Sequence, residues 1–229
     1  MPSINADFSL KVVQHTTKMP FIVSPNPQVK RIMLDRVGDE IARATSIVRY
    51  EPGSTFERHT HGGGEEILVL EGTFSDEHGH YPAGTYLRNP PQTDHAPFSE
   101  TGCTLFVKLW QFGAGDEQPV RHNTLTHPWY PGMVSGLSVM PLHEFDGVST
   151  ALVRWEPHTI FNPHMHPGGE EILVLDGVFH DDHGSYPAGS WLRSPRYSQH
   201  APYTEAEGAT IYVKTGHLGA RLLPLPDAS

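Results

Sequence analysis

Two sets of metal-ligating side chains recur in this chain with the same spacing. In the first set, His59 and His61 are followed by Glu65 and, 30 residues after that glutamate, by His95. The second set lies 105 residues further along the chain and consists of His164, His166, Glu170 and His200. Imidazole nitrogens and carboxylate oxygens are ligands for divalent transition metals. The sequence therefore predicts two divalent metal sites, with Zn or Fe as the expected ion and Mn or Ni as compatible alternatives.

The spacing also indicates how the ligands of one site could meet. Alternate residues of an extended strand face the same side, so His59 and His61 are expected to point into one cavity. Glu65 keeps this alternation, although the adjacent Glu66 is a rival ligand, and His95 must arrive from a distant strand. Four protein ligands could complete a tetrahedral zinc site, whereas an octahedral ion would keep two positions open for substrate, water or O2. The sequence leaves both geometries open.

Three further residues are predicted to take part in catalysis beside these metals. Arg88 and Arg193 occupy the same place in the two sets, a few residues before the last histidine. Either guanidinium could orient a carboxylate or an enolate near the metal, or it could pair with a nearby carboxylate and fix the loop. Asp94 directly precedes His95, where its carboxylate could accept a proton from a metal-bound water.

Both sets belong to a longer internal repeat. Residues 45–95 and 150–200 are identical at more than half of their positions without a gap. The run at residues 65–70, for example, returns unchanged at residues 170–175. Each copy is long enough to form its own core, so the repeat indicates a duplicated domain.

Each copy has the sequence pattern of β structure. The chain contains 22 Gly and 21 Pro, which separate short apolar runs, and no helical periodicity extends over three turns. Residues 76–79 and 181–184 are predicted hairpin turns in which glycine supplies a positive φ angle. An all-β barrel or sandwich is therefore expected for each copy. The predicted organisation is an N-terminal arm (1–20), a first domain (21–115), a linker (116–132), a second domain (133–220) and a C-terminal tail (221–229).

The composition disfavours several classes of protein. The formal net charge of −10 argues against a nucleic-acid partner, because neutralising phosphates requires clustered Lys and Arg. No apolar stretch approaches the ~18 residues that cross a bilayer, and no secretory signal is recognisable, so we expect a cytoplasmic protein without a membrane partner. The single cysteine, Cys103, excludes an internal disulfide and a cysteine-based zinc cluster.

The metal-ligand pattern resembles the first motif of the cupin superfamily, G-x5-H-x-H-x3,4-E-x6-G. The first copy fits it at every position, from Gly53 through the two histidines and Glu65 to Gly72. In the second copy His158 replaces the leading glycine, and the remaining positions fit. The resemblance implies a bicupin, in which two RmlC-like jelly-roll β-barrels arise from the internal duplication.

More closely, residues 64–72 and 88–91 together with His95 resemble the cupin-like domain of ChrR, an anti-sigma factor. The similarity extends over residues 25–215. In that domain the two histidines, the first glutamate and the later histidine bind zinc, which implies Glu65 and Glu170 rather than their neighbours as ligands. The anti-sigma activity of ChrR belongs to a separate helical module with Cys ligands, and this chain has a single cysteine.

The same group of cupins is similar to acetylacetone dioxygenase and dihydroxyacetophenone dioxygenase, which use non-haem iron to cleave carbon–carbon bonds. The resemblance therefore implies a metal-binding protein that acts as a small-molecule metalloenzyme of the non-haem dioxygenase type. A zinc-binding sensor or ligand-binding cupin is the alternative, and a metal-dependent isomerase or lyase is a second one. A small molecule is the expected partner of a chain that is either a monomer with an internal two-fold or a homodimer.

Overall fold

The chain forms two compact units. The computed structural model describes residues 3–39 and 41–225. The first unit comprises Met19–Thr126 with short segments from both chain ends, and the second comprises Asp7–Lys18 and His127–Ala220. Residues 1–2 of the predicted N-terminal arm and residues 226–229 of the predicted C-terminal tail lie outside the described residues.

Nearly all of the regular structure is β-strand, which confirms the all-β prediction. The first thirteen strands in chain order are β1 (Val12–His15), β2 (Ile22–Val23), β3 (Val29–Gly38), β4 (Ala42–Tyr50), β5 (Ser54–Thr55), β6 (His59–Thr60), β7 (Glu65–Asp76), β8 (Gly79–Pro82), β9 (Thr85–Asn89), β10 (Asp94–His95), β11 (Phe98–Ser99), β12 (Cys103–Leu109) and β13 (Val120–Asn123). The other nine are β14 (Tyr130–Pro131), β15 (Leu137–Phe145), β16 (Val148–Trp155), β17 (His164–His166), β18 (Glu170–Asp181), β19 (Gly184–Pro187), β20 (Ser190–Ser194), β21 (Ser198–His200) and β22 (Ala209–Thr215). One turn of 3-10 helix, Thr16–Lys18, is the helical element of the described residues.

The first unit is a jelly-roll barrel. Its main sheet runs in the order β13-β9-β7-β12-β4-β3-β2, with β8 and β11 paired to β7 and β5 paired to β11, and β6 and β10 form a separate pair. Alternate residues of β7 and β12 bury their side chains in one apolar core, among them Ile67, Val69, Leu105 and Val107. Leu68, on the other face of β7, is also buried. Because both faces are buried, this strand is a continuous apolar run rather than an alternating one.

The second unit repeats this architecture. Its main sheet runs in the order β1-β20-β18-β22-β16-β15-β14, with β19 paired to β18, and β17 and β21 form a separate pair. Its core is built from the equivalent positions, including Trp155, Ile172, Val174 and Ile211. The internal repeat therefore corresponds to two jelly-roll barrels, as predicted.

Each main sheet has at one edge a strand that lies outside the two predicted domains. Strand β1, from the predicted N-terminal arm, pairs with β20 and lies in the second unit. Strand β13, from the predicted linker, pairs with β9 and lies in the first unit. Residues 12–15 and 120–123 thus serve as edge strands of the barrels.

The predicted hairpin turns are present, but glycine does not supply a positive φ angle there. Strands β7 and β8 are joined at residues 77–78, and neither these residues nor Gly79 has a positive φ. The Asp76 carboxylate instead accepts the His78 backbone N–H at 2.8 Å. Side-chain capping of this kind stabilises a tight turn without left-handed backbone, so the expectation about Gly79 and its counterpart Gly184 is wrong.

Glycine is required elsewhere in the same strand. Gly72 has φ +71°, and a Cβ added there would lie 2.1 Å from the Gly102 carbonyl oxygen. Gly177 has the same environment in the second unit, with φ +70° and 2.2 Å to the Gly208 carbonyl oxygen. These glycines let the long strands β7 and β18 bend against a neighbouring chain segment.

Across residues 3–39 and 41–225, no helix is long and apolar enough to cross a bilayer.

Candidate metal centres

Short strand pairs bring the histidines of each set together. In the first unit, β10 runs antiparallel to β6, so His95 lies directly opposite His59. In the second unit, β21 pairs with β17 and His200 lies opposite His164. Directly opposed residues of an antiparallel pair have their side chains on the same face. The last histidine of each set therefore reaches the first one through a single two-stranded ladder.

A turn after the second histidine positions the glutamate. Residues 62–64 reverse the chain, with the Gly64 N–H donating to the His61 carbonyl, and Glu65 then begins β7. Its Oε2 atom lies 3.2 Å from His61 Nε2 and 3.6 Å from His95 Nε2. The carboxylate of Glu65 thus faces two of the three imidazoles.

The second set has the same arrangement. His200 Nε2 lies 3.0 Å from His166 Nε2 and 3.2 Å from His164 Nε2. The Glu170 oxygens lie 3.4 Å from His166 Nε2 and 3.6 Å from His200 Nε2. In each set the ligand atoms of the three histidines are all within 4.8 Å of one another.

These separations fit a shared cation. Two ligand atoms about 2.1 Å from one ion, at an angle of about 90–120°, are about 3.0–3.6 Å apart. His61 Nε2 and His95 Nε2 are buried and make no hydrogen bond to any residue that the structure describes, although buried ring nitrogens normally have a partner. A divalent ion would satisfy both lone pairs, so the residues present fit a metal.

In the first set, each imidazole is also held at its other ring nitrogen. The contacts of Nδ1 are with the Glu57 carbonyl for His59 (2.9 Å), the Thr93 hydroxyl for His61 (3.2 Å) and the Asp76 carboxylate for His95 (3.2 Å). A partner that accepts from Nδ1–H fixes the ring and leaves the Nε2 lone pair for the metal.

Asp76 connects a turn to the metal ligands. Its Oδ1 atom accepts hydrogen bonds from the His78 N–H and the Tyr81 hydroxyl, while Oδ2 faces His95. Burial favours the neutral acid, but the hydrogen bonds from His95, His78 and Tyr81 prevail and lower the pKa of Asp76 to about 2. An ionised Asp76 strengthens His95 as a ligand. Asp181 faces His200 in the same way at 3.6 Å in the second unit.

The pKa shifts of His166 and Glu170 in the second set also suit a cation. Burial lowers the pKa of the His166 imidazole to about 4, so its ring is neutral and able to ligate at neutral pH. Burial raises the pKa of the Glu170 carboxyl to about 7, while His200 opposes this shift. A buried carboxylate of this kind gains most from a positive ion placed beside it.

The two glutamates differ in their supports. Asn89 lies opposite Glu65 in the β7–β9 ladder, and its side-chain amide donates to Glu65 Oε2 at 3.0 Å. The Arg121 guanidinium in turn donates to the side-chain amide oxygen, Oδ1, of Asn89. Glu65 is therefore held by a chain of two side chains. Ser194 takes the place of Asn89 beside Glu170.

Arg88 does not face the metal ligands. It lies opposite Glu66 in the β7–β9 ladder. Because Glu66 directly follows Glu65, and adjacent residues of a strand face opposite sides of the sheet, Arg88 lies on the face away from Glu65. Its guanidinium donates to Glu66 at 3.2 Å and to Asp116, and it stacks over the Phe112 ring at 4.1 Å. This environment fits the second role considered for it, in which it fixes a loop by ion pairing.

The other two predicted catalytic residues are also engaged away from the imidazoles. Arg193 is fully buried, donates to the Asp7 carbonyl at 3.0 Å and stacks over the Phe8 ring at 4.3 Å. Asp94 has a side chain that is 49% exposed, and it pairs with Arg58. The structure therefore groups the eight predicted ligands into two sites and leaves Arg88, Arg193 and Asp94 outside them.

Sequence reasoning missed the residues that hold the ligands. The turn pattern predicts only a place in a turn for Asp76 and Asp181, although their recurrence in both copies is a signal that could have indicated a second role. Asn89 does not recur, because Ser194 replaces it in the second copy, so the repeat does not indicate its role. Its role depends on which strand lies beside β7, and that pairing is a property of the fold.

A cavity adjoins the second site. Its volume is about 430 Å³, and its wall includes His164, Glu170 and His200. Phe161 and Phe179 also line it, whereas Tyr203 stacks on the His180 ring at 5.0 Å. Pockets for small molecules generally have volumes of about 300–1,000 Å³, so the cavity is of a size to admit one.

Comparison with known proteins identifies the family of both halves. The ChrR Cupin-like domain family matches residues 9–113 and again residues 117–219. No curated protein matches the sequence. Together the two matches span most of the chain.

Several solved structures share the fold at low sequence identity. A candidate dioxygenase of Nostoc punctiforme is 14% identical with a TM-score of 0.75, covering 96% of this chain and 88% of that chain. The Escherichia coli protein YlbA is 14% identical with a TM-score of 0.69, covering 91% and 92%. An oxalate decarboxylase of Bacillus subtilis, described with Mn(II) centres, is 15% identical with a TM-score of 0.61, covering 89% and 76%. At these identities the likeness concerns the fold.

Proposed function

Because the chain belongs to the ChrR Cupin-like domain family, in two consecutive copies, we propose that each barrel binds one divalent metal ion and that the protein is a small-molecule metalloenzyme of the non-haem dioxygenase type. The proposed ligands are three histidines and one glutamate in each barrel. They are His59, His61, Glu65 and His95 in the first barrel and His164, His166, Glu170 and His200 in the second. The cavity that reaches three of the second barrel's ligands carries this proposal.

A ligand set that is open to a cavity suits catalysis better than a closed structural site does. A bound Fe(II) ion would supply the redox chemistry with O2 and the sites at which substrate oxygens and O2 meet. The chain's own residues orient the ligands through Asp181 and surround the substrate with apolar walls that exclude water. Exclusion of water protects reactive species from hydrolysis.

The expected substrate is a diketone-like compound or an aromatic ketone. Oxidative cleavage of a 1,3-diketone by one O2 gives a carboxylic acid and a 2-oxo-aldehyde, and both oxygen atoms of O2 enter the products. No external reductant is needed for this balance. The candidate dioxygenase among the structural neighbours supports the proposal at the level of the fold.

The test begins with metal analysis of protein purified without added metal. After anaerobic loading with Fe(II), O2 consumption and acid formation are measured on a panel of 1,3-diketones. We expect turnover by the loaded protein and its loss in His164→Ala, with the circular dichroism spectrum unchanged. Tightly bound zinc at two ions per chain, with no turnover after iron loading, would overturn the dioxygenase proposal.

A zinc-binding sensor or ligand-binding protein is the second candidate. The observation that favours it is the complete set of supports in the first barrel, where every proposed ligand is held by a further hydrogen bond. Four protein ligands, each fixed by a further partner, fit a closed tetrahedral zinc site. The same metal analysis separates the two candidates, because a sensor would retain zinc and show no turnover.

A further inference from the structure

The two barrels have the same ligand types but different surroundings. The cavity of about 430 Å³ in the second barrel continues from the metal ligands to an exposed mouth, where Met133 is 87% exposed. In the first barrel, a groove of about 530 Å³ is lined by Pro25, Asn26, Thr55, Phe56 and Glu57 and includes none of the three ligating histidines. A smaller pocket of about 100 Å³ reaches His95, but its wall includes Asp76, Asp94 and Arg121.

The wall of the second cavity is apolar beyond the metal ligands. Val139, Val153, Ile211 and Val213 come from three adjacent strands, and Trp155 adds an aromatic surface. The lining residues that the structure describes include no Lys or Arg. A charged group placed against this wall would lose its hydration without gaining a partner, which is costly.

Polar groups of this cavity are concentrated near the ligands. Thr215 lies directly opposite Glu170 in the β18–β22 ladder, so both side chains are on the cavity face. In the first barrel Leu109 is opposite Glu65 at the equivalent place. The second barrel therefore offers one additional hydroxyl beside its glutamate, and the first barrel offers an apolar side chain.

One charged residue distinguishes the first barrel. Val139 pairs with Val153 in the second unit, and Arg31 pairs with Val48 in the first. Val48 and Val153 are equivalent in the repeat, so Arg31 occupies the position of Val139. Directly opposed residues share a face, and Val48 packs against the first barrel's apolar core. Arg31 therefore stands in the first barrel on the face that forms the cavity wall in the second barrel, where the second barrel has Val139.

The hydrogen bonds that hold the glutamate ligand also distinguish the two barrels. Asn89 and Arg121 hold Glu65 in the first barrel. In the second barrel Ser194 replaces Asn89, and no hydrogen bond between Ser194 and Glu170 occurs within the described part of the chain. Outer partners that fix a ligand raise the affinity for the metal, so the first barrel is expected to hold its ion more firmly than the second.

We propose that the two metal sites have divided roles, with the second barrel as the substrate site and the first as a structural metal centre. This assignment rests on the proposed metal function. The substrate class that fits the second cavity is a neutral carbonyl compound with an aromatic or branched apolar body and with its oxygens at one end. Those oxygens lie toward the histidines, Glu170 and Thr215, and the apolar body lies against Val139, Trp155 and Ile211.

This class differs from small dianions such as oxalate. Oxalate carries charge on both carboxylates, and the oxygens that do not reach the metal would face apolar side chains without a cation to pair with. The apolar body of an aryl diketone, in contrast, gains free energy in proportion to the area that it buries. The cavity therefore selects for the body of the substrate as well as for its metal-binding end.

The experiment measures binding to the zinc-loaded full chain, so that it does not depend on turnover. The protein is loaded to two zinc ions per chain, and 1-phenyl-1,3-butanedione is titrated by calorimetry, with oxalate as the comparison ligand. We expect one equivalent of the diketone to bind per chain and oxalate to bind at least tenfold more weakly. Two equivalents, or stronger binding of oxalate, would overturn the division of roles.

Reciprocal variants assign the binding to one barrel. Val139→Arg places the first barrel's residue in the second cavity and is expected to weaken diketone binding at least tenfold. Val139→Phe fills the same space without a charge and should weaken it as well. Arg31→Val is the matched control and should leave the affinity unchanged. Unfolding temperature and zinc content, measured for all three variants, distinguish a filled cavity from a misfolded barrel.

The results separate this inference from the proposed function. Binding of one diketone with loss in Val139→Phe, but without any O2 consumption by the iron-loaded protein, would support the cavity assignment and overturn the dioxygenase. Unchanged binding in Val139→Arg and Val139→Phe, both folded and zinc-loaded, would overturn the assignment whatever the turnover. Fewer than two zinc ions per chain after loading would overturn both.

Discussion

At the scale of single residues, one aspartate in each barrel contacts both a hairpin turn and a metal ligand. Asp76 caps the β7–β8 turn through one oxygen and holds the His95 ring through the other. A strand-joining turn and a metal ligand are therefore coupled through a single side chain. Asp181 has the same contacts with His183 and His200 in the second unit.

Replacement of this carboxylate tests its part in metal binding. Asp76→Asn keeps the size of the side chain but removes the negative charge that accepts from His95 Nδ1–H. Loss of such a partner typically lowers metal affinity about 10–100-fold, so we expect one of two zinc ions to be released at a lower chelator concentration. Asp181→Asn is the matched variant and should affect the other ion. Equal release of both ions in both variants would contradict the assignment of each aspartate to its own site.

Cys103 illustrates how burial controls a reactive side chain. It is the first residue of the buried strand β12, and it is 5% exposed. Burial raises the pKa of its thiol to about 11, while hydrogen bonds with Ser99 and Tyr50 oppose this shift. The folded protein therefore keeps a proton that the unfolded chain loses from about pH 8.5 upward.

Two outcomes follow from this raised pKa. At pH 8, iodoacetamide should modify Cys103 slowly in the folded protein and rapidly in guanidinium chloride, as measured by mass spectrometry. The thiol's contribution to the free energy of unfolding is fully present below about pH 8.5 and declines as the pH rises toward 11. A Cys103→Ala variant should lack this part of the pH dependence. Rapid modification of the folded protein at pH 8 would show that the thiol is accessible and ionised.

At the scale of elements, the two ends of the long strand β7 contact the two ring nitrogens of one imidazole. Glu65 is its first residue and Asp76 its last, and they face opposite ring nitrogens of His95. A straight strand of this length would separate its ends by about 36 Å. The strand must therefore curl around the barrel, and the close approach of Gly72 to the Gly102 carbonyl marks one place where it bends.

This curvature is the part of the fold that the sequence could not predict. Short strands, turns and the order of the ligands followed from local patterns at residues such as Glu65 and His95. The apolar run at residues 66–70 has the length of one short strand, whereas β7 continues through Gly72 to Asp76. Glycine normally weakens a strand interior, and its use as a bend becomes visible only when the neighbouring chain is present.

Two glycines with similar backbone angles provide a test of the bend. Gly72→Ala would place a Cβ 2.1 Å from the Gly102 carbonyl oxygen, whereas Gly53, with φ +74°, has nothing within 4 Å. Both substitutions incur the left-handed backbone penalty of about 1–2 kcal/mol, and Gly72→Ala adds a clash of about 1–3 kcal/mol. We expect a larger loss of unfolding free energy in denaturant titrations for Gly72→Ala, together with weaker zinc binding. Equal losses in the two variants would show that the close approach is unimportant.

At the scale of the whole molecule, the duplication preserved the metal ligands and changed what surrounds them. The gapless repeat predicted the eight ligands, but it could not reveal every difference between the sites. Arg31 and Val139 are 108 positions apart rather than 105, so comparison at the constant offset does not align them. The constant offset of 105 does align Tyr86 with Trp191, which also differ between the copies. Tyr86 lies beside Leu68 and Trp191 donates to Glu171, so both are on the face away from the ligands.

The clearest difference in ligand support can be exchanged between the barrels. Asn89→Ser removes the amide that donates to Glu65, and Ser194→Asn offers the same amide to Glu170. A hydrogen bond to an ionised group contributes about 1.5–3 kcal/mol, which corresponds to roughly a 10–150-fold change in affinity. We therefore expect zinc to leave the natural protein in two chelator-dependent steps. In Asn89→Ser the slower step should become faster, so that the two steps merge.

Ser194→Asn should instead slow the faster of the two steps and bring it toward the slower one. Release is followed with a chromogenic chelator, and circular dichroism verifies that each variant is folded. A single step in the natural protein, unchanged in both variants, would contradict unequal support. Two steps that respond in opposite directions to these exchanges would show that one ligand set, copied within a single chain, produces a firmly held ion and a labile one.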